Sequence, residues 1–225
     1  MRSVTRNPEP IKVRAILFDF DGTLFHTVPM IVDSFRHVYD LFHMPQPSEE
    51  EIIATIGLPL ESVFQPYGEE LSRAMLEAYT RHNVPLVRTH VGIYLGIGPM
   101  LDQLRAMGFP LGIVSAKRLK SLTPTLETFE MESYFSCIVT KDDTEKHKPD
   151  PEPLLMGMRK LGYTDPADVL YVGDAIYDIQ AAANGGFPSV AVSWGAAGSK
   201  ALEAENPTAL ISRAADLPEI VQRKL

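Results

Sequence analysis

Residues 16–25 read "ILFDFDGTLF", an apolar run that ends in two aspartates, Asp19 and Asp21, with only Phe20 between them. Val13–Phe18 is β-rich and almost free of charge, the pattern of a strand buried on both faces. If the strand continues, alternation turns both carboxylates to the same side. Two like charges so close repel, and each favours its neutral form unless a cation lies nearby. Gly22 and Thr23 follow at once, and D-G is ordinary turn chemistry. The chain therefore leaves a core strand through a turn that carries two crowded acids.

Four further apolar stretches read as buried strands: Leu111–Ser115, Cys137–Thr140, Val169–Gly173 and Ser189–Val192. Helical patterns lie between them. Pro99 opens one that Gly108 ends, and Asp150 with Pro151 opens another that Gly162 ends. Strand–helix alternation predicts a parallel sheet covered on both faces, whose ligands sit outside the carboxyl ends of the strands. Asp19, Ser115 and Asp174 all fall at those ends. From about Thr27 to Gly92 the alternation stops and helix follows helix. Ile31, Val32, Phe35, Val38, Tyr39 and Phe42 share one face, Ser48 with Glu51 forms a capping box, and a third helix runs from about Glu69 to Arg81. This predicts an all-helical insertion, residues 27–92, in an α/β core made of 1–26 and 93–225, with a glycine-rich second hinge, "GIYLGIGP".

Composition narrows the function. The chain has 225 residues, of which 45% are hydrophobic, enough for a substantial core. A net charge of −8 argues against a nucleic-acid groove, and any anionic substrate must be drawn in by local cations. The single cysteine, Cys137, excludes an internal disulfide, points to a reducing compartment and reads as a buried strand residue. The N-terminus has no apolar signal region and no run approaches membrane-spanning length, so the expectation is a soluble cytoplasmic protein, monomer or homodimer, with no membrane partner.

"DFDGT" at Asp19–Thr23, the hydroxyl of Ser115 after the second strand, "HKPDP" around Lys148 and "GDAIYD" from Gly173 to Asp178 together resemble the haloacid dehalogenase-like phosphatases. All four motifs stand in the family's order and span nearly the whole chain. The resemblance implies a Rossmann-like parallel-sheet core with an inserted helical cap. It implies Asp19 as nucleophile, forming an aspartyl-phosphate, and Asp21 as the acid and base for the leaving oxygen and the attacking water. Mg²⁺ would be held by Asp19, Asp174 and the Asp21 carbonyl, with Asp178 a further ligand or a support for the bound water. Lys148 would neutralise the nucleophile, and Thr23, Ser115 and backbone N–H groups such as that of Ala116 would cradle the phosphate. His26, where many relatives carry aspartate, either contacts the substrate at the hinge or covers it. Lys117 and Lys141 read as solvated.

"IGLPL" at Ile56–Leu60, "HKPDPEPLL" and "VAVSWG" are similar to the phosphoglycolate phosphatase and pyrophosphatase branch. The expected activity is hydrolysis of a small phosphorylated metabolite, phosphoglycolate first and inorganic pyrophosphate second. A β-phosphoglucomutase-like isomerase shares the same acids and metal. A metal-free haloalkanoate dehalogenase has no need of Asp21, and phosphonoacetaldehyde cleavage needs a cap lysine that this chain lacks. A binding protein that merely kept the fold would be expected to miss a nucleophile or ligand, and none is missing.

Overall fold

The computed structural model describes residues 10–224. In chain order it runs β1 (Ile11–Val13), β2 (Ala15–Phe18) and β3 (Phe25–His26), then four helices: α1 (Val28–Leu41), α2 (Glu49–Ile53), α3 (Leu60–Phe64) and α4 (Glu69–His90). Next come β4 (Gly92–Ile93), α5 (Ile97–Ala106), β5 (Leu111–Val114), α6 (Leu119–Thr128), β6 (Cys137–Val139) and α7 (Glu152–Lys160). The chain closes with β7 (Val169–Gly173), α8 (Ile176–Gly185), β8 (Ser189–Val192), α9 (Ser199–Ala204), β9 (Ala209–Ile211), α10 (Asp216–Ile220) and β10 (Val221–Arg223).

Six parallel strands form the central sheet in the order β6-β5-β2-β7-β8-β9. Strand order reverses at β2, the topological switch point where open α/β sheets bind ligands. Alternation along β2 sends Ile16 and Phe18 into one apolar cluster and Ala15 and Leu17 into the other. With both faces buried, the strand has no use for charge until it ends. The predicted single strand Val13–Phe18 is in fact two. Arg14 breaks it, and β1 pairs instead with β10 near the C-terminus. The sixth strand, β9, is only "ALI", too short to stand out in the sequence.

The four helices between Val28 and His90 pack around a cluster of their own, built on Ile31, Phe35, Val38, Ile52, Phe64 and Met75. The Ser48–Glu51 capping box forms, with Glu51 N–H donating to Ser48 Oγ (3.2 Å) and Ser48 N–H to Glu51 Oε2 (2.8 Å). Helix α4 runs nine residues beyond the expected end at Arg81, straight through Pro85. Proline leaves the carbonyl of Arg81 without its helical donor, but Arg81 is exposed, where water can supply one. Helix α6 likewise continues through a proline, Pro124. The two connections to the core meet as an antiparallel pair, β3 with β4. No helix among the described residues is long and apolar enough to cross a membrane.

Candidate active site

Strand β2 ends at Phe18, and Asp19 follows with its N–H donating to Val172 O (2.8 Å). That bond fixes the backbone of Asp19 beside the end of β7, so its carboxylate emerges next to Asp174. Asp19, Asp174 and Asp178 converge, with one oxygen of each lying within 4.8 Å of the others. All three are buried. Three buried acids at that spacing need positive charge, and the chain supplies part of it. Lys148, 2% exposed, donates from Nζ to Asp19 Oδ1 (2.8 Å), Asp178 Oδ1 (2.6 Å) and Tyr171 Oη (3.0 Å).

The electrostatics follow. Burial pushes the Asp19 carboxyl well above the usual range, Lys148 opposes this, and Asp178 and Asp174 reinforce it. Burial also works against a charged Lys148, but Asp178 and Asp19 outweigh it and hold the ammonium well above its ordinary pKa. Asp174 is pushed up to about 7, by burial first and then by Asp178, against hydrogen bonds from Ala196 N–H and Thr23. A site that raises two carboxyl pKa values while fixing a permanent cation is one that still lacks positive charge.

Glycines make the room. A Cβ on Gly22 (φ 81°) would lie 2.1 Å from Asp174 Oδ2, and one on Gly195 2.3 Å from the same atom. A Cβ on Gly173 would lie 2.4 Å from Cβ of Asp178. The "VAVSWG" segment then clamps the site. Ala196 N–H donates to Asp174 Oδ2 (2.6 Å), and Trp194 Nε1 donates to Thr23 O (3.0 Å).

Asp19, Asp21, Ser115 and Ala116 line a cavity of about 590 Å³ between the sheet and the helical insertion. Four sequence expectations change in detail. Thr23, expected to face phosphate, donates its hydroxyl to Asp174 Oδ1 (2.6 Å) and so fixes a carboxylate instead. Asp178 has both oxygens engaged by protein donors: Oδ1 faces Lys148 and Tyr171, and Oδ2 accepts from the N–H groups of Asp174 and Ala175. That favours its role as a support over that of a direct ligand. His26 is exposed, packs against Tyr94 at a centroid distance of 5.0 Å and does not line the cavity. Lys117 is not solvated. Its Nζ donates to Asp21 Oδ1 (2.8 Å), with the two side chains 11% and 15% exposed.

Lys141 likewise leans on the insertion, 3.6 Å from Glu61. Arg118 Nε donates to the same Glu61 Oε1 (2.6 Å), which ties α3 to the loop before α6. Nothing in the sequence reveals that cross-link, because its partners stand 57 residues apart and neither belongs to a motif.

The profile of the haloacid dehalogenase-like hydrolases matches residues 16–192, which contain every one of these acids and Lys148. The chain belongs to that family. Pyrophosphatase PpaX of Bacillus pumilus is 34% identical over 209 residues, covering 93% of this chain and 96% of the relative. The protein of that name from Bacillus velezensis is 33% identical over the same length and coverage. Among solved structures, a predicted phosphoglycolate phosphatase of Haemophilus somnus superposes with a TM-score of 0.85 at 24% identity, over 93% of this chain and 98% of that one. That likeness establishes the fold.

Proposed function

We propose that this protein is a Mg²⁺-dependent phosphatase that cleaves small phosphorylated metabolites through a phosphoenzyme at Asp19, with residues 27–92 as its cap. One observation carries the proposal: three buried carboxylates converge, two of them paired with one buried lysine, and the one at the strand end, Asp19, opens on a cavity beside a fourth carboxylate, Asp21. The donor set fits a hard divalent cation, because it is all oxygen and short of positive charge. Asp19, Asp174 and the Asp21 carbonyl would hold it. When bound, the ion supplies charge neutralisation for the anionic substrate and lets Asp19 stay ionised.

The chain's own residues do the rest. Lys148 holds Asp19 by Oδ1, which leaves Oδ2 to attack phosphorus. The bond from phosphorus to the leaving oxygen breaks, and that oxygen takes a proton from Asp21. Lys117 occupies Asp21 Oδ1, so the proton moves on Oδ2. Asp21 then accepts a proton from the water that attacks the aspartyl-phosphate, freeing phosphate and restoring Asp19. Ser115, whose Oγ accepts from Lys117 N–H (3.2 Å), keeps its own hydroxyl proton for the phosphoryl oxygens.

A second reading, pyrophosphate as substrate, is favoured by the identity to the two Bacillus proteins. Phosphate release from a panel of small monoesters and pyrophosphate, with Mg²⁺ and then with excess chelator, tests the proposal. Release that persists in chelator, or that survives in Asp19→Asn at a tenth of the wild-type kcat or more, contradicts it.

A further inference from the structure

The cavity above Asp19 and Asp21 is larger than a phosphoryl group needs. At about 590 Å³ it falls in the range that takes organic ligands. Its wall on the insertion side is apolar, with Ile31 and Phe35 from α1, Leu60 and Val63 from α3, and Leu76 from α4.

Polar side chains interrupt that wall, Glu77 and Thr80 among them, and two of these, Tyr79 and Asn83, lie one helical turn apart on α4. Asn83 is 2% exposed, and a hydrogen-bond chain fixes which way its amide points. Ser34 donates its hydroxyl proton to Met30 O (2.8 Å), so Ser34 Oγ can only accept from Asn83. It does so from Asn83 Nδ2 at 3.0 Å, and the same nitrogen approaches Tyr79 Oη at 3.4 Å. Among the described residues nothing donates to Asn83 Oδ1, and nothing accepts the hydroxyl proton of Tyr79. Tyr79 is near enough to Asp21 that, after burial, the Asp21 charge also raises its pKa. An acceptor and a donor without a protein partner thus sit side by side over the site, both open to the cavity and free to pair with a group that enters it.

Charge along the cavity is mixed, and the Tyr79–Asn83 pair itself is neutral. Of the cations lining the cavity, Lys117 is paired with Asp21 and Arg118 with Glu61, while Arg73, Arg81 and Lys120 are exposed. An anionic distal group laid against this wall would lose water and meet an amide oxygen.

We propose that Tyr79 and Asn83 select the leaving group, and that the substrates are phosphate monoesters whose neutral organic part carries a hydroxyl held between Asn83 Oδ1 and Tyr79 Oη. The proposal rests on the phosphatase reading and narrows it, against pyrophosphate and phosphoglycolate alike.

The test compares short alkyl phosphates with their terminal-hydroxyl counterparts, alongside pyrophosphate and phosphoglycolate, in wild type, Asn83→Leu and Tyr79→Phe. In wild type the hydroxyalkyl esters should exceed the plain esters in kcat/KM by about tenfold, the scale of one hydrogen bond to an otherwise unpaired group. They should also exceed both anionic-tailed substrates. Asn83→Leu should bring the ratio of hydroxyalkyl to plain ester close to unity, and Tyr79→Phe should lower it. Tyr79→Phe keeps the ring that packs on Phe35 (5.4 Å), so it carries the test if Asn83→Leu does not fold. Equal rates for the two ester series in wild type, a ratio that survives both substitutions, or pyrophosphate as the best substrate would overturn the assignment while leaving a phosphatase. No phosphate from any compound would overturn the phosphatase reading, and this one with it.

Discussion

Replacing Lys148 by methionine keeps the length of the side chain and removes the cation that Asp19 and Asp178 share. Nζ lies 2.8 Å from Asp19 and 2.6 Å from Asp178, so one substitution strands two carboxylates. Removing one partner of a buried ion pair costs about 3–5 kcal/mol, and Lys148 serves two, which places this variant at the upper end. For a chain of this size each kcal/mol moves Tm by roughly 2–4 °C, so the metal-free variant should melt on the order of 10 °C or more below wild type. The sign of the pH dependence follows from Asp19 and Asp174. Both have pKa values raised by folding, Asp174 to about 7, so the stability they contribute is full at acid pH and is lost as pH rises through the folded values. Without Lys148 that loss should be steeper. Thermal unfolding followed by circular dichroism in chelator should therefore show a larger deficit at about pH 8 than at about pH 5, and Mg²⁺ should recover part of it. A deficit under about 1 kcal/mol, or one that is equal at both pH values, would refute the view of Lys148 as the counter-ion of this cluster.

Gly22→Ala would set a Cβ 2.1 Å from Asp174 Oδ2 and hold an alanine at a φ of 81°. The Mg²⁺ concentration for half-maximal activity should rise by about tenfold or more, and an unchanged value would show that Asp174 is not a ligand. Cys137 has its thiol pushed up to about 11 by burial, so it should resist Ellman's reagent at neutral pH and react once urea unfolds the chain; rapid reaction in the native protein would contradict its placement. The linkage sign is the same as for the acids: the thiol's contribution to stability is full below its unfolded pKa and lost as pH rises through about 11.

The sheet and the acids at its strand ends were legible because each signal is local. An apolar run that stops at a charged residue marks both a buried strand and its carboxyl end, as at Phe18–Asp19 and Gly173–Asp174. Helix α4 outruns its expected end and α6 was not expected; both contain a proline, and the sequence does not say whether the carbonyl it frees can reach water. The roles of Thr23 and Lys117 depend on contacts across 151 and 96 residues, to Asp174 and Asp21. Pattern alone could not show that a hydroxyl expected on phosphate would hold a carboxylate, or that a loop lysine would fold inward. The ionic cross-link through Glu61 and the Tyr79–Asn83 pair were invisible for the same reason.

The central claim is that Asp19 carries the phosphoryl group. Borohydride added during turnover reduces an acyl phosphate to the alcohol, so peptide mapping by mass spectrometry should find homoserine at position 19. The conversion should require both substrate and Mg²⁺, and should vanish in Asp19→Asn. Turnover that continues with position 19 unmodified, or with the label at another carboxylate, would contradict the account.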